Sequence, residues 1–184
     1  SFLLESVEGG SQRGRYSLLG CEPDLIWEVK NKKASVRYTD HKYDYKITDS
    51  PLLSLKEIVK LSKVPNQDDG VPFPILVGYF NYSMIQYMEG INLNNPDNIN
   101  IPEATLIRPK VVAVFDNIKD SISLMTVIYP NKSIDSENAY FSAQLKLEET
   151  IKKMKNNSVN LSFNEKNIKE KIDFKSNYSK EKYF

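Results

Sequence analysis

Leu3-Leu4-Glu5-Ser6 opens the stretch of sequence that decides the fold, and Arg15-Tyr16-Ser17-Leu18-Leu19-Gly20 closes it, with Gly10 and Gly14 between them. An acid and a hydroxyl end a short apolar run, and a loop with glycines leads into a second apolar run. This pattern predicts two neighbouring strands joined by a loop. The ends of two such strands can hold a small polar ligand between them.

Further strands follow along the chain, and their alternating apolar and polar residues are typical of an antiparallel meander with one buried face. The continuous apolar run Ile75–Phe80 favours instead a central strand buried on both faces. Gly78 within that run predicts a close approach by another part of the chain. The expected strands are Ser1–Glu5, Tyr16–Leu19 (ended by Gly20 and Pro23), Leu25–Lys30, Ala34–Thr39, Tyr43–Thr48, Ile75–Phe80, Leu106–Phe115 and Ser121–Tyr129.

Helices are predicted in several places by caps and by apolar residues at three- and four-residue steps. Asp49 or Ser50 caps the first helix, and Pro51 takes its first position. Its expected buried face is Leu52, Leu55, Ile58, Val59 and Ser62, and that of a second helix over Glu137–Lys155 is Tyr140, Ala143, Leu147, Ile151 and Met154. Short helices are also expected at Ser83–Glu89 and from Lys180. The fold class is therefore α+β, with a largely antiparallel multi-stranded sheet packed with helices.

The domain organisation follows from a change in composition near Asn156. We expect one domain over residues 1–155, a polar linker over 156–175, and the start of a further domain over 176–184. The chain has 184 residues, begins within an apolar segment without Met, and ends on a helical pattern, so we expect a fragment of a longer protein.

Composition argues against several classes of function. The 25 basic and 24 acidic residues leave a net charge of +1, which gives no reason to expect binding to nucleic acid or to an anionic membrane. No apolar run approaches the roughly 20 residues that span a bilayer. The lone Cys21 suggests a reducing cytoplasm. The lone His41 lies in a predicted turn, so a zinc site or a catalytic triad has little support. Trp27 is more typical of a core or interface anchor than of a ligand contact.

Four segments, in order, resemble anthranilate synthase component I, a chorismate-utilising enzyme. Leu3–Gly20 matches its first strand pair, and Pro74–Gly90 is similar to its Gly-Tyr strand and the short helix that follows. Ile101–Asp116 looks like its next strand pair, and Ser176–Phe184 like the opening of its chorismate-binding domain. One departure is Asn81-Tyr82-Ser83, where the family commonly has Gly-Tyr-Asp.

The resemblance implies an enzyme, a lyase of tryptophan biosynthesis, that converts chorismate and ammonia to anthranilate and pyruvate with Mg²⁺. A glutamine amidotransferase subunit supplies the ammonia. In that family the chorismate and magnesium site lies in the domain that begins about where this chain stops. We therefore assign no catalytic residue and no metal ligand here, and we expect this fragment alone to be inactive.

The resemblance also implies that this domain carries part of an L-tryptophan feedback site. The motif assigns Leu4, Glu5 and Ser6 as ligand contacts, and Arg15 and Tyr16 as a second, less specific set. An amino acid needs acceptors for its ammonium, donors for its carboxylate and apolar walls for its indole. Ser6 and the backbone can bind the polar groups, and Leu4 and Tyr16 can form the walls. Glu5 is either an acceptor or a brace that pairs with a basic residue such as Arg15.

Three other interpretations stay open at this point. The nearest is para-aminobenzoate synthase component I, which shares the fold and the chorismate chemistry but feeds folate synthesis. A second is a stand-alone amino-acid-sensing or protein-interaction domain with no enzyme attached. A third is an unrelated α+β domain, in which the motif is only an ordinary strand end.

Overall fold

The structure, a computed structural model, describes residues 1–6, 14–39, 45–64, 75–93, 98–129, 134–156 and 176–183. Within these ranges the strands are β1 Phe2–Leu4, β2 Tyr16–Lys30, β3 Lys33–Tyr38, β4 Tyr45–Thr48, β5 Val77–Phe80, β6 Ala104–Asp116 and β7 Ser121–Thr126. The helices are α1 Pro51–Leu61, a 3₁₀ helix Tyr82–Tyr87, α2 Ser136–Asn156 and α3 Lys180–Tyr183. Gly10, His41 and the predicted linker beyond Asn156 lie outside the described residues.

Two long strands, β2 and β6, form the centre of the sheet. They pair antiparallel from Tyr16 opposite Asp116 to Val29 opposite Ala104. On its other edge, β2 pairs with β1 near its start and with β3 near its end. β3 pairs in turn with β4. On the outer side of β6 lie β5 and β7. Every described pairing is antiparallel, so the predicted α+β class is confirmed.

β2 is one strand, whereas the sequence predicted two strands separated by Gly20 and Pro23. The register between β2 and β6 shifts between Pro23 and Leu25, and Glu22 has a positive φ of 50°. This irregularity is a β-bulge, which absorbs extra chain and bends the strand without ending it. Pro23 is tolerated because its missing N–H falls at the irregular part of the ladder.

β5 is a short strand, and the prediction of a central strand buried on both faces was wrong. In the described part of the chain β5 pairs only with β6, and Tyr79 and Phe80 are exposed. The close approach predicted at Gly78 is confirmed, because a Cβ built there would lie 1.8 Å from the carbonyl oxygen of Thr105. The apolar run reflects partial burial at the sheet margin and not a central position.

The larger core cluster lies between the β2–β3 half of the sheet and α1. Trp27 is fully buried there, as the sequence predicted, and its indole N–H donates to Ser54 Oγ at 3.1 Å. Ser54 and Ile58 are buried on the face of α1 that carries this bond, while Val59, predicted to be buried, is 42% exposed. Other members of the cluster are Leu25, Val29, Ala34, Val36, Met84, Ala104 and Leu106.

The caps of the shorter helices are partly as predicted. Ser50 is the N-cap of α1 and Pro51 its first residue, but the Ser50 side chain makes no capping bond. The 3₁₀ helix is capped by Asn81, whose Oδ1 accepts from the Ser83 N–H at 2.9 Å. Within the segment that departs from the family's Gly-Tyr-Asp, Asn81 thus caps the helix through Ser83.

A smaller core cluster lies under the β1 end of the sheet. Leu18, Val112 and Val114 are buried there, and half-buried Phe2, Tyr16, Ile75, Met125 and Val127 pack around them. The aromatic ring of Phe2 lies over Gly20, where a Cβ would come within 2.1 Å of it. Gly20 is therefore what lets β1 seat closely on β2.

The second helix, α2, packs against β7, and its Lys146 forms an ion pair with Glu22. Its half-buried residues are Ala139, Ala143, Lys146, Leu147 and Thr150. The predicted stripe is therefore only partly correct, since Tyr140, Ile151 and Met154 are exposed. None of the described helices is long and apolar enough to cross a membrane.

A buried ion pair ties the bulge of β2 to the centre of β6. Arg108, 5% exposed, donates to both carboxylate oxygens of Asp24, at 2.8 and 2.7 Å. It also donates to Ser62 Oγ at 3.2 Å, and its guanidinium lies 3.5 Å from the centroid of the Tyr129 ring. One side chain thereby links the sheet, the end of α1 and the segment after β7.

Asp24→Ala should lower the free energy of unfolding by about 3–5 kcal/mol, because it leaves a buried guanidinium without its counter-charge. Urea unfolding measures the loss. The double variant Asp24→Ala/Arg108→Met should recover most of it, since Met occupies a similar volume without charge. A loss below about 1 kcal/mol, the range of exposed ion pairs, would show that Arg108 is well solvated.

Gly78→Ala should lower the free energy of unfolding by about 1–3 kcal/mol, because its Cβ would overlap the backbone of β6. The matched control is Gly90→Ala, since a Cβ at Gly90 has no neighbouring atom within 4 Å. Thermal unfolding of both variants makes the comparison. Equal melting temperatures would contradict the close approach at Gly78.

Candidate functional site

The β1 strand places the first predicted ligand contact at the margin of the sheet. Leu4 pairs with Leu18 of β2, and its neighbour Leu3 pairs with Leu19. Although these are large apolar side chains, Leu3, Leu4 and Leu19 are 61%, 46% and 41% exposed. Leu4 lies on the same face of the sheet as its partner Leu18 and as Tyr16, and its exposure leaves that face open to a ligand, whereas Leu3 and Leu19 lie on the opposite face. We call Leu4, Glu5, Ser6 and Tyr16 the β1 site.

The polar part of the β1 site follows directly after the strand. Glu5 is exposed, and Ser6 is half-buried. The backbone N–H of Ser6 donates to Ser17 Oγ at 3.4 Å, so β1 stays attached to β2 beyond their last ladder pair. Leu4, Ser6 and the start of β2 are therefore brought together as the sequence predicted.

Arg15 is held by a carboxylate from a different part of the chain than the sequence suggested. Its Nε and Nη2 donate to both oxygens of Asp116, at 3.1, 3.2 and 2.8 Å. Arg15, the example that the sequence offered as the basic partner of Glu5, is therefore bound to Asp116 instead. The physical reason is the register of the sheet, since Tyr16 pairs with Asp116 and so brings Arg15 beside it.

Tyr16 links the β1 site to the core beneath it. Its ring is half-buried in the smaller cluster beside Phe2, and the Arg15 guanidinium lies 4.8 Å from its centroid. A guanidinium at this distance from the ring is attracted by its π-electrons. Tyr16 can present an aromatic face at the site while its position is fixed from both sides.

Asp116 has several hydrogen-bond donors besides Arg15. Its Oδ1 accepts from the backbone N–H groups of Ile118 and Lys119, at 3.1 and 3.2 Å. Hydrogen bonding to Arg15 is the main cause that lowers the pKa of Asp116 to about 2. The same bond raises the pKa of Arg15. The pair therefore stays charged throughout the physiological range of pH.

Asn117, next in the chain, binds the backbone of Gly14 and Arg15 with both its own backbone and its side chain. Its N–H donates to the Arg15 carbonyl oxygen at 2.8 Å, and its Nδ2 donates to the Gly14 carbonyl oxygen at 2.9 Å. Gly14 has a φ of 86°, which glycine adopts without strain. The sequence predicted a strand that ends at Phe115 and indicated no role for Asp116 or Asn117 in the site, because nothing in their spacing shows that β2 starts beside them.

Within the part of the chain that the structure describes, the β1 site can be compared with one further cleft and with possible metal ligands. A cleft of about 380 Å³ lies elsewhere, at the end of α1, and is lined by Val59, Ser62, Lys63, Val64, Ile75 and Leu76. Its lining offers few polar groups that converge on a ligand. In the ranges that the structure describes, no three His, Cys, Asp or Glu side chains cluster as metal ligands would.

The low pKa of Asp116 predicts how its contribution to stability depends on pH. The Asp116 carboxyl ionises more easily in the folded chain than in the unfolded chain, where its pKa has the ordinary value of 3.8. Its contribution to the free energy of unfolding is therefore complete above pH 3.8 and disappears as the pH falls toward about 2. The difference in melting temperature between wild type and Asp116→Asn should be constant near neutral pH and shrink below pH 3.8. Asp120→Asn, in the same turn, is the control. A difference that persists at the acid end would contradict the ionised pair.

Comparison with known proteins gives consistent relatives, although no family model matches the chain. An anthranilate synthase component 1 of Cereibacter sphaeroides is 31% identical over 156 residues, 83% of this chain and 31% of that protein. The Aquifex aeolicus protein of the same name is 31% identical over 189 residues, 100% of this chain and 37% of that protein.

The fold has a counterpart among solved structures. Anthranilate synthase component I from Streptococcus pneumoniae TIGR4 superposes with a TM-score of 0.57 at 23% identity, over 82% of this chain and 32% of that one. The chain thus spans about a third of the length of the relatives that it matches. It is therefore a relative of anthranilate synthase component 1, similar to those proteins over most of its own length.

Proposed function

We propose that this chain is the N-terminal part of an anthranilate synthase component I and carries part of its L-tryptophan feedback site. The whole enzyme makes anthranilate and pyruvate from chorismate and glutamine-derived ammonia. The observation that carries the proposal is the relationship itself, at 31% identity across the full length of this chain. The α+β fold, similar to that of a solved component I, supports it.

The chemistry of the β1 site supports tryptophan as the ligand. Leu4, 46% exposed, and the half-buried Tyr16 offer apolar walls for an indole. The Glu5 carboxylate is an acceptor for an ammonium group, and Ser6 adds a hydroxyl that can donate or accept. Apolar walls with a few polar groups at one end are what an amphiphilic amino acid requires.

The β1 site is one side of a pocket in this proposal, and a following domain supplies the other side. Residues 1–155 form the tryptophan-sensing domain, 156–175 the linker, and 176–184 the start of the chorismate-binding domain. Chorismate and Mg²⁺ bind in that following domain, so no residue of this chain is given a catalytic or metal-binding role. The chain by itself should not turn over chorismate and should bind tryptophan weakly.

The glutamine amidotransferase subunit is the partner that delivers ammonia, and the enzyme works in the cytoplasm. Tryptophan bound between the two domains favours the arrangement with low affinity for chorismate. Linkage then requires chorismate to weaken tryptophan binding by the same factor.

Ser6→Leu in the full-length gene product should relieve inhibition by tryptophan while turnover without tryptophan is retained. Leucine removes the hydroxyl and fills space beside Leu4 and Tyr16, whereas the reacting groups lie in the other domain. Anthranilate fluorescence during a tryptophan titration measures the effect. The matched control is Ser35→Leu, a half-buried serine of β3 in the other half of the sheet.

The same assay separates the other interpretations. If the tryptophan concentration that inhibits the wild type also inhibits Ser6→Leu to the same extent, the site assignment is refuted. Formation of a para-aminobenzoate precursor instead of anthranilate would assign the chain to the folate branch. Absence of any reaction with chorismate, with tryptophan still bound, would favour a stand-alone sensing domain.

A further inference from the structure

We propose that Asp116, the last residue of β6, and Asn117, the first residue of the turn to β7, are positioning residues of the tryptophan site and act through Gly14 and Arg15. The inference rests on the proposed function of the β1 site. It assigns Arg15, which the sequence motif offered as a ligand contact, to the framework of the site.

The first step in the argument is how the two sides of the β1 site are held. The ladder between β1 and β2 covers only Phe2–Leu4 and ends opposite Leu18. Beyond it the described structure gives one bond, from the Ser6 N–H to Ser17 Oγ, at 3.4 Å. The β1 side therefore takes its position from the start of β2.

The second step is what fixes the start of β2. Its first ladder pair is Tyr16 with Asp116, and the two described residues just before it, Gly14 and Arg15, lie outside the ladder. The turn holds these two residues instead, because Asn117 binds the carbonyl groups of Gly14 and Arg15, at 2.9 and 2.8 Å. Asp116 binds the Arg15 guanidinium in a two-pronged arrangement. These bonds determine where Tyr16 and Ser17 stand.

The third step is that the turn is itself rigid enough to act as a reference. Asp116 is 8% exposed and accepts bonds from the N–H groups of Ile118 and Lys119 as well as from Arg15. A carboxylate with three sets of donors has a single preferred orientation. Pairing of β6 with β2 and β7 fixes its backbone from both sides.

The fourth step is why Arg15 is not a ligand contact. Two of its three nitrogens already donate to Asp116, at 2.8 to 3.2 Å, and its guanidinium lies over the Tyr16 ring. A tryptophan carboxylate would have to compete with a buried carboxylate already in place. The charge of Arg15 is therefore used within the framework, and it orients the aromatic wall of the site.

The test is a tryptophan inhibition series on the full-length gene product, with chorismate as substrate. Asp116→Asn should raise the tryptophan inhibition constant by about 3- to 30-fold, a range typical of residues that modulate a site without touching its ligand. This rise should exceed any change in kcat or in KM for chorismate. Asn117→Ala, at an exposed position, should raise it by about 2- to 10-fold, as expected for one lost hydrogen bond.

Two further variants distinguish positioning from general destabilisation. Asp120→Asn makes the same chemical change at an exposed position of the same turn and should leave the inhibition constant unchanged. Asp116→Glu keeps the charge for Arg15 and should recover part of the wild-type inhibition. If Asp116→Asn does not fold, Asn117→Ala by itself decides, because its side chain is exposed and outside the core.

The outcomes separate this inference from the proposed function. If tryptophan inhibits Asp116→Asn and Asn117→Ala as strongly as the wild type, the positioning role is overturned and the proposed feedback site still stands. A parallel loss of kcat, inhibition and stability in these variants would also overturn it, since it would show a purely structural role. A wild-type enzyme that tryptophan does not inhibit would overturn the proposed feedback site, and this inference with it.

Discussion

The antiparallel ladder between β2 and β6 is the interaction on which the rest of the structure depends. It joins Tyr16–Lys30 to Ala104–Asp116, so residues far apart in the chain become neighbours along the whole length of the sheet. Every other described strand except β4 pairs with one of these two. A pairing of this range costs chain entropy, which the burial of apolar side chains on its faces offsets.

The bulge in β2 divides this ladder into two halves with different cores. One half buries Trp27 and its neighbours against α1, and the other buries Leu18, Val112 and Val114 under β1. Asp24 lies at the division and is bound to Arg108, so the irregularity is fixed by a buried charge pair. Burying the Arg108 guanidinium costs hydration free energy. Its hydrogen bonds and its stacking on the Tyr129 ring offset that cost and allow a charge to be buried in the sheet.

The candidate site lies at one end of the same ladder, where β2 begins and β6 ends. That location explains its composition. The short β1 strand leaves leucines exposed, while the last residue of β6 supplies an acid, and the turn after it an amide, that hold the chain entering β2. A surface with apolar walls and a fixed polar frame is suited to bind a small amphiphilic molecule when a second surface closes over it.

The sequence by itself determined the α+β class, the approximate place of most strands and helices, the core role of Trp27 and the family. These follow from local alternation, caps and short motifs, which are properties of neighbouring residues. Only the tertiary structure decided that β2 continues through Pro23, that β5 is marginal, and that Arg15 pairs with Asp116 and not with Glu5. These depend on which distant strands pair and in which register, and a shift of one residue would turn every side chain of a strand to the other face of the sheet.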